Sequence, residues 1–215
     1  MNEIEKRQLI IKYSNSFNSL NLSPLRSGNI SIKHKKQNYE GFLITPSGKK
    51  YENLSDLDIV FVDSDGKNHH ELNLPSSEYN FHLDLYKETD CNAIVHCHSK
   101  YSLILSCLRK NIPSFHYMIA LAGGDNIVCA EYGLFGTKDL SNSIIRAMKN
   151  RKACLLSNHG QIAIGNDIHE AFELAQEVEF LCECYYKCIL LGKPEIISYE
   201  EMQKVIEKIG NYKKS

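Results

Sequence analysis

The amino-acid sequence predicts a single α/β domain over residues 1–215, with a mixed or mostly antiparallel central sheet flanked by helices. Three observations lead there. Short apolar runs of strand length, such as Ala93–His98 and Ala153–Ser157, are interspersed with longer segments of helical period, such as residues 3–20 and Asp167–Leu191. No Gly/Ser linker, internal repeat or low-complexity block divides the chain. Its 215 residues are enough to bury one sizeable core.

The elements follow in order. Ile4, Leu9, Ile10, Tyr13, Phe17 and Leu20 recur at helical spacing, so residues 3–20 form a helix ending near Asn21. Ser23-Pro24-Leu25-Arg26-Ser27-Gly28 is turn-rich. Strand signals come at Asn29–Lys33, Gly41–Thr45 and Ile59–Asp63, with Asp65-Gly66 as a hairpin turn. Pro75-Ser76-Ser77-Glu78 carries the proline, serine and acid favoured in a first helical turn, and that helix runs to about Thr89. A strand at Ala93–His98 leads into a helix at Ser99–Leu108. A strand at Ile127–Ala130 and a helix at Thr137–Asn150 follow. The buried strand Ala153–Ser157 stops at Asn158-His159-Gly160, beside a strand at Gln161–Gly165. Asp167–Leu191 is the longest helix, Ser198–Ile209 is a last amphipathic one, and a lysine-rich tail closes the chain.

Composition removes several function classes. The chain carries 25 basic and 26 acidic residues, a net charge of −1, which argues against a nucleic-acid partner. It leaves room for an anionic small molecule, because a few backbone amides hold a phosphate locally. No window approaches 18 apolar residues, so no membrane span is expected. The first residues, MNEIEKRQLIIKYSNSF, contain no uninterrupted apolar region and no small-residue cleavage site, so a cytoplasmic location is expected. The eight cysteines are read as reduced, mostly core thiols, and no C-x-x-C pair exists.

Chemistry concentrates at three places far apart in sequence. In Ala-Ile-Val-His-Cys-His, His96 and His98 lie two residues apart on a strand and face the same way, while Cys97 faces the opposite way. His159 follows the apolar run Ala-Cys-Leu-Leu and precedes a glycine, at a strand end. Glu78 sits near a helix N-terminus. Three imidazoles and an exchangeable fourth position describe a catalytic zinc site, where a carboxylate binds the metal at rest and acts as a base once substrate displaces it. Taken singly, the H-x-H is ordinary packing, His159 a turn histidine and Glu78 a helix-terminal acid. His82 shares a helical face with Glu78. His69-His70 reads as solvated surface, and His34, His116 and His169 have no partner pattern.

A second constellation suits phosphate. Ser27-Gly28-Asn29, Thr45-Pro46-Ser47-Gly48 and Ser76-Ser77 are small-residue loops at element ends, where glycine allows close backbone approach and serine, asparagine and N–H groups donate to oxyanions. Each is also an ordinary turn by itself. Ser76-Ser77 directly precedes Glu78, which would put an anion site beside the metal site. Walker, G-x-G-x-x-G and H-E-x-x-H motifs are absent from the sequence.

Taken together, these segments resemble the class II aldolase/adducin family. The resemblance is carried by Ser27–Ser31, Leu43–Gly48, Leu74–Glu78, Ala93–His98, Ile112–Ala120, Phe135–Thr137 and Asn158–Gly160, in family order from about residue 5 to 212. It implies a three-layer α/β fold with a mostly antiparallel sheet, and a C4 homotetramer with active sites between subunits. It implies one Zn2+ per subunit on Glu78, His96, His98 and His159, and phosphate held by Gly28, Asn29, Ser47, Gly48, Ser76 and Ser77. It implies reversible cleavage of a ketose 1-phosphate, L-fuculose 1-phosphate or a similar deoxy-ketose phosphate, to dihydroxyacetone phosphate and an aldehyde through a zinc-stabilised enediolate. Glu78 is then the general base, with Tyr117 from a neighbouring subunit and Tyr212 in the C-terminal tail as the catalytic tyrosines. Phe135 shapes the aldehyde pocket, which Arg26-Ser27 and Asn158 are expected to retune. The alternatives are a pentulose-phosphate 4-epimerase of the same fold, a branch that carries Asp rather than Glu after the paired serines, and a metal-free adducin-like interaction module.

Overall fold

The computed structural model describes residues 1–212, the side chain of Tyr212 excepted. At its centre is one seven-stranded sheet. The strands are β1 (Asn29–Lys36), β2 (Tyr39–Ile44), β3 (Val60–Asp63), β4 (Ala93–Cys97), β5 (Val128–Ala130), β6 (Ala153–Leu156) and β7 (Gly160–Gly165). They lie in the order β3-β2-β1-β4-β7-β6-β5. Every neighbouring pair is antiparallel except β5–β6 at one edge. The helices are α1 (Glu3–Ser19), α2 (Tyr79–Glu88), α3 (Lys100–Ser106), α4 (Lys138–Ala147), α5 (Ile168–Leu191) and α6 (Tyr199–Tyr212).

Alternation along the strands sorts the two faces. On β4, Ala93, Val95 and Cys97 join the core shared with Ile10, Tyr13 and Phe17 of α1 and with Ala171, Phe172, Ala175 and Val178 of α5. Ile94 faces the other way, with Ile162 and Ile164 of β7, onto Phe81 and Leu85 of α2 and Leu140 and Ile144 of α4. His96 therefore shares a face with Ile94 and α2. Helix starts follow the capping residues: Asn2 and Glu5 form a capping box on α1, and Thr137 and Asp167 cap α4 and α5 through their side chains.

Several boundaries differ from the sequence reading. β1 runs on to Lys36 and pairs with β2 from Tyr39, closing a hairpin at Gln37, whose φ is +54°. The added residues His34, Lys35, Lys36 and Glu40 are polar and lie mostly at the surface, so hydrophobic alternation does not mark them. The Asp65-Gly66 turn forms, with Gly66 N–H donating to the Asp63 carbonyl, but the returning chain pairs only at Val62–Asn68. A 3₁₀ helix over Tyr117–Ala122 carries no sequence period that would announce it. His69 and His70 are not solvated surface: they are half-buried, His69 Nε2 lying 2.6 Å from Asp63 Oδ2 and His70 Nδ1 accepting from two backbone N–H groups. His169 has a partner too, the hydroxyl of Tyr13.

Candidate active site

His96 is held at the core end of β4 and is fully buried. Its Nδ1–H donates to the Gln161 carbonyl at 2.9 Å, across the β4–β7 ladder. That bond fixes the tautomer and leaves the Nε2 lone pair pointing inward. His98 lies just past the strand end, its backbone N–H donating to Ser23 Oγ at 2.8 Å. His159 sits in the tight β6–β7 connection, where Asn158 takes a left-handed φ of +56°. Glu78 occupies the N-cap position of α2, yet its side chain makes no capping bond. It is turned instead into the site, where Oε2 accepts from Asn29 Nδ2 at 3.0 Å.

These four side chains converge. One donor atom from each of Glu78, His96, His98 and His159 falls within 4.8 Å of the others. His96 Nε2 lies 3.0 Å from His98 Nε2 and 3.2 Å from Glu78 Oε2, and His159 Nε2 lies 3.2 Å from Glu78 Oε1. A tetrahedron with metal–ligand bonds of about 2.0–2.1 Å has edges of about 3.3–3.4 Å, close to these spacings. Glu78 Oε1 is buried and has no hydrogen-bond partner among the described residues. An orphaned carboxylate oxygen facing three imidazole nitrogens is the donor set a divalent cation of the zinc class takes.

The electrostatics agree. Burial lowers the basicity of His98 and His159, and the neighbouring His96 adds to it, bringing them to about 3 and about 4. Both are therefore neutral at pH 7, the form in which an imidazole can bind a metal. Burial pushes the Glu78 carboxyl up, but His96, His159 and the Asn29 amide more than offset it and hold the group well below the usual carboxylate range.

Behind Glu78 runs a buried hydrogen-bond chain. Asn29 Nδ2 donates to Glu78 and to Ser76 Oγ, so its Oδ1 is free to accept, and His82 Nε2–H donates to it at 2.5 Å. His82 Nδ1 then accepts from Ser31 Oγ at 2.7 Å, and the Tyr86 hydroxyl lies 2.8 Å from the same oxygen. Burial drives His82 down to about 3, so it remains a neutral relay that fixes the Asn29 amide. The sequence offered only the shared face of His82 and Glu78. Ser31 and Tyr86 had no signal beyond their polarity on a buried strand and an apolar helix face.

The three small-residue loops meet in one cleft of about 410 Å³, lined by Gly28, Asn29, Ser47, Gly48, Ser76 and Ser77 together with Glu78, His98 and His159. The second and third loops are stitched together: Ser76 N–H donates to the Thr45 carbonyl at 3.0 Å and Ser47 N–H to the Leu74 carbonyl at 2.9 Å. Arg26 and Asn158 line the same cleft, as do Phe135 and Tyr132, the last of which sequence reasoning missed. Tyr117 lies outside the cleft, 51% exposed at the start of the 3₁₀ helix. Tyr212 ends α6, and its side chain is outside the described residues.

Comparison with known proteins places this arrangement among relatives. The sequence profile of the Class II Aldolase and Adducin N-terminal domain matches residues 8–186. A 5-methylthioribulose-1-phosphate/5-deoxyribulose-1-phosphate aldolase of Rhodospirillum rubrum is 42% identical over 210 residues, 97% of this chain and 93% of the relative. An L-fuculose phosphate aldolase of Escherichia coli is 44% identical over 195 residues, 90% of this chain and 88% of the relative. Among solved structures, an L-fuculose 1-phosphate aldolase superposes with a TM-score of 0.90 at 36% identity, covering 96% of each chain.

Proposed function

The chain belongs to the class II aldolase and adducin family, as an aldehyde-lyase, and from that membership we propose that it cleaves a ketose 1-phosphate reversibly to dihydroxyacetone phosphate and an aldehyde. The observation that carries the proposal is the cleft in which Glu78, His98 and His159, three of the four side chains clustered with buried His96, face the three small-residue loops. A ketose 1-phosphate needs both at once: anion donors for its phosphate and, a few ångströms away, groups that stabilise charge on its carbonyl oxygen. The substrate is a deoxy-ketose phosphate, the class named for the curated relatives of fuculose, methylthioribulose and deoxyribulose type.

Glu78, His96, His98 and His159 hold one zinc ion per chain, and when bound it supplies Lewis-acid charge beside the ketose oxygens. Gly28, Asn29, Ser47, Gly48, Ser76 and Ser77 bind the phosphate through hydroxyl and backbone donors. In the direction of synthesis Glu78 removes the proton from the carbon that attacks; in cleavage it returns a proton there. The buried chain through Asn29 and His82 orients the carboxylate and leaves Oε1 without a hydrogen-bond partner for that role. Tyr117 is the phenol that gives a proton to the aldehyde oxygen in synthesis and takes it in cleavage. Its exposure away from its own chain's cleft supports a role in a neighbouring chain's site, within a C4 homotetramer. Tyr212 is the second candidate tyrosine, from the last helix.

The test is release of dihydroxyacetone phosphate from fuculose, rhamnulose and 5-deoxyribulose 1-phosphates by the zinc-loaded protein, with ribulose 5-phosphate epimerisation read in parallel. Release that stops on chelation and returns with zinc supports the proposal. Epimerisation without release, or no turnover of any member, sinks it.

A further inference from the structure

The donors of the phosphate cradle are neutral: hydroxyls and backbone N–H groups. A phosphate monoester brings a charge of roughly −1.5 to −2 at pH 7. The cleft already contains the Glu78 carboxylate, so an incoming phosphate also meets a like charge. Among the described residues that line the cleft, Arg26 is the one lysine or arginine.

Arg26 is presented by a constrained corner. Ser27 closes a tight turn onto the Pro24 carbonyl, its N–H donating at 3.1 Å and its Oγ at 2.7 Å. Within that turn Leu25 adopts φ +57°, a left-handed conformation disfavoured for a residue with a Cβ. Asn18 Nδ2 donates to the Leu25 carbonyl at 3.2 Å and helps hold the corner. A strained backbone beside a binding cleft is where positioning outweighs local comfort. From this corner Arg26 Nη1 donates to the carbonyl of Gly48 at 3.1 Å, spanning from the first phosphate loop to the second. A guanidinium carries five N–H donors, and this bond uses one. No carboxylate pairs with Arg26 among the described residues, so its charge has no counterion.

We infer that Arg26 is the charge partner of the substrate's phosphate, closing the rim of the cradle with a forked guanidinium contact. The inference rests on the phosphate lying in the cradle as proposed above. The Gly48 carbonyl holds the side chain in register before the anion arrives. The fork suits the geometry of two phosphate oxygens in a way that a lysine ammonium does not. Arg26 thereby sets a preference for phosphorylated ketoses over their uncharged counterparts, and acts on binding rather than on the proton transfers.

Three variants test this: Arg26→Gln, Arg26→Ala and Arg26→Lys. Two readouts apply, steady-state cleavage of whichever ketose 1-phosphate the panel identifies, and calorimetric binding of inorganic phosphate to the zinc-loaded protein. In Arg26→Gln and Arg26→Ala, KM and the phosphate dissociation constant rise roughly ten- to hundredfold, the range of a hydrogen bond to a charged group, while kcat stays within about threefold. Arg26→Lys recovers part of the loss. Lys keeps a long side chain with a donor for the Gly48 carbonyl but lacks the fork, so a residue that merely ties two loops together would leave Arg26→Lys fully like wild type in KM and phosphate affinity. That pattern overturns the inference. Unchanged KM and phosphate affinity in all three variants, or a loss confined to kcat, overturns it as well. If wild type cleaves no ketose phosphate, the functional reading fails, while phosphate binding still reads Arg26 independently.

Discussion

Gly28 ties the first of the three cleft loops to β4, the strand that carries His96, and replacing it with alanine measures how rigid that connection is. Gly28 has φ +85°, and a Cβ there would meet the His96 carbonyl oxygen at 2.6 Å, Ser23 Oγ at 2.8 Å and Cys97 Cα at 3.3 Å. Two of these are backbone atoms of β4, at His96 and Cys97, and they cannot rotate aside. Gly48 is the natural control, with φ +76° and nothing within 4 Å of its would-be Cβ. Either alanine incurs the left-handed cost of about 1–2 kcal/mol. Gly28→Ala adds overpacking against fixed backbone, about 1–3 kcal/mol more, and shifts His96 relative to Glu78 and His159. Urea unfolding of the metal-free proteins reads the stability, and zinc competition against a chelating dye reads the site. Gly48→Ala should lose about 1–2 kcal/mol and bind zinc like wild type. Gly28→Ala should lose about 2–5 kcal/mol, together with roughly tenfold or more in zinc affinity. Equal losses in the two variants, or normal zinc affinity in Gly28→Ala, would refute the reasoning.

Three further outcomes are expected. Glu78→Gln preserves shape and can still accept from Asn29 Nδ2, but an amide cannot take up the substrate proton, so kcat should fall roughly 10²–10⁴-fold with the fold intact by circular dichroism. Burial pushes His82 down to about 3 in the folded chain, well below the roughly 6.5 of a free imidazole, so the unfolded chain takes the proton first as pH drops. Its contribution is therefore complete above about pH 6.5 and is lost on acidification towards about pH 3, at about 1.4 kcal/mol per pH unit. His82→Gln should remove that much from the pH slope of metal-free stability, and an unchanged slope between about pH 4 and 6 would contradict the assignment. If Tyr117 serves a neighbouring chain's site, inactive Tyr117→Phe and inactive Glu78→Gln chains should regain activity when mixed and reassembled, whereas sites contained within one chain would stay dead.

The candidate metal-binding group was legible because each member rests on a local rule. Two-residue alternation aims His96 and His98 the same way and sends Cys97 into the opposite core, where it is found. Glu78 was legible only in combination, since a helix-terminal acid usually caps its helix and this one makes no capping bond. The three small-residue loops were recognisable as turns, but their meeting depends on pairings across long sequence separations, such as Pro46 with Pro75, that no local pattern encodes. The chain from Tyr86 through Ser31 and His82 to Asn29 was hidden for the same reason: its members come from β1 and α2, and only packing brings them together. The β1–β2 hairpin end went unread because its residues are polar and at the surface, where burial imposes no period.

The most direct measurement of the central claim is a zinc titration of the metal-free protein, following dihydroxyacetone phosphate release from the preferred ketose 1-phosphate. The account predicts that activity rises from zero and saturates at one zinc per chain, and that His96→Ala or His159→Ala abolishes both the stoichiometric binding and the activity. Full activity in the metal-free protein, or stoichiometric zinc that survives loss of these histidines, would contradict it.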